Sequence, residues 1–168
     1  MAQEWIDSIA QQIKEKNREA AEDYGRSEHY AGIIADKGKP FFMSLVQQLQ
    51  QNVDGLRSCL QGDATAADTT VETVRACEVK LTRSRFPWVD ARVEHHGENI
   101  TLDYAKTAGA KPAGTNGGAT MDRKTCTYAF RVSPDDTLYV EEAFAAEPGQ
   151  YTQPEELARR ITEILFAP

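Results

Sequence analysis

The chain has 168 residues, a net charge of −7, 40% hydrophobic residues and 27% charged residues. That length fits a single domain spanning 1–168, and the composition is ordinary for a folded globular protein. The negative charge argues against nonspecific binding to nucleic acid or an anionic membrane, and no run of ~18 apolar residues offers a membrane span.

The N-terminus, MAQEWIDSIAQQIKEK, has acidic residues where a signal peptide needs a basic start and an apolar block. The expected location is therefore the cytoplasm. Cys59, Cys77 and Cys126 are odd in number and form no CxxC pair. They read as free, reduced thiols, and a structural zinc site is not expected.

Residues 2–60 form the helical part. In residues 2–34, Ile6, Ile9, Ile13, Ala20 and Tyr24 fall near one face, with Lys14, Lys16, Arg18, Glu19, Glu22 and Asp23 on the others. Gly25 and Gly32 each weaken a helix interior by ~1 kcal/mol, so a break is expected near Gly25. Asp36-Lys37-Gly38-Lys39-Pro40 reads as one helix end followed by a new start. The expected result is a helical hairpin. Its second helix carries Phe42, Val46, Leu49, Val53, Leu56 and Leu60 on one stripe, opposite a run of glutamines. Burying each contributes roughly 1.5–3 kcal/mol.

Gln61 to Thr73 is small and polar and reads as a connector. Within 74–145 the period changes from 3.6 to two. Cys77-Val79-Leu81, Val89-Ala91-Val93, Ile100-Leu102-Tyr104 and Cys126-Tyr128-Phe130-Val132 each alternate with polar neighbours, and Leu138 to Phe144 completes a fifth strand. His96-Gly97-Glu98 is a tight turn. Residues 107–121, rich in glycine, alanine and threonine, read as a flexible loop. Residues 152–166 read as a C-terminal helix opened by a Thr152/Glu155 capping box, with Leu157, Ile161, Ile164 and Leu165 buried.

The expected fold is α+β: an N-terminal helical hairpin, a five-stranded, meander-like antiparallel sheet with one face covered by helices, and a C-terminal helix. The alternate polar positions leave the other sheet face open. This layout of a small acidic protein with a twisted antiparallel sheet resembles that of secretion chaperones, a resemblance of layout rather than of motif.

No catalytic constellation emerges. His95 and His96 are strand neighbours and point to opposite faces, and His29 lies on a helix far away. Cys77 and Cys126 fall on apolar strand faces, and Cys59 near a helix C-terminus, the wrong dipole end for a thiolate. The sequence holds no G-x-S-x-G, P-loop or dinucleotide fingerprint. Neither metal nor cofactor is implied.

The stretch 75–92 is the exception to the acidic balance. Arg75, Lys80, Arg83, Arg85 and Arg92 stand against Glu78 and Asp90, a local +3, with Phe86 and Trp88 interleaved. Basic residues beside aromatics on a sheet suit an anionic ligand. Lys80, Arg83, Arg85, Trp88, Arg92 and Arg131 are therefore the candidate ligand-binding residues. The expected function is a small, non-enzymatic binding or protein-interaction module using its open sheet face or a helical groove. The alternative is a small-molecule-binding protein or minor enzyme with a pocket between sheet and helices, lidded by 107–121. Trp5, near the start of an amphipathic helix, would also suit contact with a second copy, a homodimer.

Overall fold

The computed structural model describes residues 2–60, 69–84, 88–107 and 122–167. Helix α1 runs without interruption from Ala2 to Cys59. Seven strands follow: β1 (Thr69–Arg75), β2 (Glu78–Arg83), β3 (Val89–His96), β4 (Asn99–Lys106), β5 (Asp122–Val132), β6 (Leu138–Glu142) and β7 (Gln150–Tyr151). Helix α2 (Pro154–Phe166) ends the described chain. The strands lie in sequence order, each antiparallel to the next, so the fold is α+β with a meander sheet.

The expected hairpin is not formed. Pro40 sits inside α1, where its ring opposes the carbonyl of Asp36 and removes one helical bond. Both residues are exposed, so water can satisfy the freed carbonyl and the helix continues. Gly25 and Gly32 weaken the helix without ending it. Gly38 is a packing position rather than a stop: a Cβ there would stand 3.5 Å from the Phe130 ring and 3.6 Å from His95 Nε2.

The sheet has seven strands rather than five. β1 occupies the second part of the expected connector, with Val71 and Thr73 facing Leu81 and Val79. Its β-branched threonines suit a pleated strand as well as a loop. β7 is only two residues long. The capping box of α2 is shifted by one: Glu156, not Glu155, takes the backbone N–H groups of Thr152 (3.1 Å) and Gln153 (3.3 Å).

One sheet face is covered by the C-terminal half of α1 and by α2. Phe42, Leu45, Leu49 and Val53 from α1 meet Val79, Leu81, Val93, Leu102, Tyr128 and Phe130 from the sheet and Leu157, Ile161 and Leu165 from α2. The buried stripe of α1 is turned slightly from the expected one. Phe41 and Leu45 are buried, whereas Val46, Leu56 and Leu60 are only partly so. Three contacts fix the diagonal of α1 across the sheet. His29 Nε2 lies 3.0 Å from Asp136 Oδ1 at the β5–β6 turn, Gly38 rests on Phe130 and His95, and Arg57 Nε donates to the Thr69 carbonyl at 2.8 Å. Among the described residues no helix is long and apolar enough to cross a membrane.

Candidate interaction surfaces

Strand register decides which candidate residues share a face. Lys80 pairs with Arg92, Arg92 with Asp103, and Asp103 with Thr125. These side chains therefore stand in one row on the open face, and Arg131 lies farther along β5 on the same face, opposite Tyr139. Arg83 does not join them. It pairs with Val89 and is only 8% exposed, on the side covered by the helices. Trp88 is half-buried at the foot of β3, where its backbone N–H donates to Thr107 Oγ1 at 3.1 Å. Arg85 lies outside the described residues, as does the expected loop beyond Thr107.

The cations brought together are already engaged. Lys80 Nζ is 3.7 Å from Asp90, Arg92 Nε 3.1 Å from Glu78, and Arg131 Nε 3.5 Å from Glu141. Arg123, which the sequence reading passed over, reaches Asp90 at 3.5 Å. The alternation of β5 would have placed it on this face. Glu72, Glu78, Asp90, Glu94, Asp103 and Glu141 outnumber Arg75, Lys80, Arg92, Arg123 and Arg131 here. An anionic ligand would have to displace these carboxylates. The depression among Lys80, Asp90, Arg92, Asp103 and Arg123 holds only about 120 Å³, well below the ~300 Å³ of a small-ligand pocket.

The histidines divide as their adjacency requires. His95 faces the helices, stacked on Phe42 at 5.5 Å and edge-on to Phe130 at 5.7 Å, and its Nε2–H donates to the Gly97 carbonyl at 3.0 Å. Burial lowers its pKa, and the nearby His96 and Lys39 add to that. His96 is on the open face, 3.2 Å from Glu94. Among the described residues no group of three or more histidine, cysteine or acidic side chains is placed to hold a metal ion. Cys77 does not lie on an apolar face: it is exposed in the β1–β2 turn. Cys126 is half-buried, and burial raises its thiol pKa, as does the charge of Glu142.

The unusual surface is the N-terminal half of α1. Every residue from Glu4 to His29 is exposed, a stretch of about 39 Å of helix, and only from Asp23 onward does it come alongside the sheet, at the groove described below. Trp5 is 67% exposed, Ile6 50%, Ile13 54% and Tyr24 66%. Ile6, Ile9, Ile13, Ala20, Tyr24, Ala31 and Ile34 fall within about 80° of arc, the same arc as Gly38, Leu45 and Leu49. The stripe that builds the core thus continues, uncovered, past the end of the sheet. Where the two meet, a corner groove of about 570 Å³ opens between helix and sheet, lined by Tyr30, Ala31, Ile34, Phe130 and Val132 among others. Surface pairs such as Arg18 with Glu15 (3.1 Å) and with Glu22 (3.9 Å) decorate the far side; each is worth only about 0.3–0.5 kcal/mol.

Comparison with protein-family models, curated proteins and solved structures finds no match to this chain.

Proposed function

We propose that the chain is a non-enzymatic protein-interaction module whose binding element is the projecting half of α1 together with the corner groove at its base. One observation carries this reading: an apolar stripe of Ile6, Ile9, Ile13 and Tyr24 on a helical segment in which every residue from Glu4 to His29 is exposed. An isolated helix is marginal in water, and in proteins its stability comes chiefly from packing an apolar face. Contiguous exposed apolar surface marks binding sites. The pairing of Lys80, Arg92 and Arg131 with carboxylates favours the helix over the open sheet face. Most of the interior between sheet and helices is filled by Phe42, Leu45, Leu49 and their partners; the space a small-molecule reading would need is a cleft of about 330 Å³ at its edge, between Phe42, Met43 and Val46 of α1 and Thr73 and Arg75.

The test is affinity capture from the source cells with the wild-type chain and with an Ile9→Glu/Ile13→Glu variant. Each buried isoleucine is worth roughly 1.5–3 kcal/mol, so losing both from an interface weakens binding more than about 100-fold. The reading expects a stoichiometric protein partner, self or other, that the variant fails to hold. Identical partners at identical affinity would refute it.

A further inference from the structure

Resting on that reading, we infer that the partner covering the projecting helix is a second copy of this chain, packed antiparallel along residues 5–30 about a two-fold axis near Asn17 and Arg18. The direction follows from where the stripe points. It faces the same side as the sheet of its own chain, because Ile6, Ile9 and Ile13 share an arc with the core residues Leu45 and Leu49. A helix laid on the stripe in parallel would run on into the space held by that sheet. In an antiparallel pair the second copy's helix runs away from that sheet toward its own, so the two sheets lie at opposite ends of the paired helices.

The side chains fit that arrangement. The stripe is large in its first part (Ile6, Ile9, Ile13) and mostly small in its second (Ala20, Ser27, Ala31). Antiparallel pairing sets large against small: Ile13 between the partner copy's Ala20 and Tyr24, and Ile9 between Tyr24 and Ser27, as knobs enter holes. With the axis between positions 17 and 18, Lys16 lies opposite Glu19 of the second copy; parallel pairing would set Lys16 beside Lys16. The same register brings Trp5 opposite Tyr30, into the 570 Å³ corner groove floored by Ile34, Phe130 and Val132. A buried aromatic anchor in a pocket is the usual centre of binding energy. An isologous contact also closes on itself, leaving no further sticky end.

Sedimentation equilibrium of the whole chain tests the inference, with disulfide cross-linking to read direction. The expected mass is twice 18.7 kDa, falling to 18.7 kDa in Ile9→Glu/Ile13→Glu with the sheet still folded, since neither side chain touches it. In chains carrying Cys59→Ser and Cys77→Ser, mixing Gln12→Cys with Asp23→Cys should give a 12–23 cross-link and little 12–12 product. A wild-type monomer at about 100 µM, well above the Kd of a stable interface, would overturn the inference. If the double glutamate variant then still lost a different protein partner, the interaction reading would survive without the dimer; if it lost nothing, both would fall. A dimer giving 12–12 cross-links would overturn the antiparallel arrangement.

Discussion

The two halves of α1 obey the same pattern and meet different fates. Between Phe41 and Val53 the apolar stripe is buried under the sheet and α2, with Leu45, Leu49 and Val53 at 0% exposure. Between Glu4 and His29 every residue of a stripe on the same arc is exposed, from 37% at Ile9 to 66% at Tyr24. Periodicity states which face of a helix is apolar; it does not state what covers it. In one half the described chain covers its own stripe; in the other no described residue does, and we propose that a partner supplies the cover.

Substitutions at matched positions sharpen that contrast most. Leu49→Ala should cost about 2–5 kcal/mol of unfolding free energy, the usual price of a core cavity. Ile9→Ala, measured by urea denaturation at a dilution where the chain is monomeric, should change the unfolding of the sheet by less than about 0.5 kcal/mol. Equal losses at the two sites would mean that the projecting half is packed within its own chain.

A smaller effect tests the base of the buried half, where His95 stacks on Phe42. Burial holds the imidazole pKa below its ordinary value. As pH falls below about 6.5 the unfolded chain takes up a proton that the folded state refuses, so stability declines until the folded pKa is passed. Urea midpoints across that range should fall more steeply in the wild type than in His95→Gln. Parallel slopes would contradict the burial of this ring against α1.

Much of the fold was legible because its signals are local. The alternation of Val79-Leu81, Val89-Ala91-Val93 and Ile100-Leu102-Tyr104 marks strands whose inward residues are now buried. β1 was missed because Thr69, Thr70 and Thr73 carry little hydrophobic signal, and β7 because two residues have no period. The continuity of α1 through Pro40 depends on which way one carbonyl faces, which only packing decides. Among the candidate ligand-binding residues, strand register sets Lys80, Arg92 and Arg131 on one face, as the alternation of their strands implies. Their pairing with Asp90, Glu78 and Glu141 follows from cross-strand geometry that no local pattern encodes. The stripe of Ile6, Ile9 and Ile13 was visible in the sequence; that no described part of the chain packs on it was not.

Amide hydrogen exchange along α1, followed at high and low protein concentration, tests the central claim most directly. The account predicts slow exchange from Phe41 to Val53 at every concentration. It predicts slow exchange from Ile9 to Tyr24 only when the chain is concentrated, with protection lost on dilution and in Ile9→Glu/Ile13→Glu. Fast exchange in that segment at all concentrations, or protection that survives both dilution and the double substitution, would contradict it.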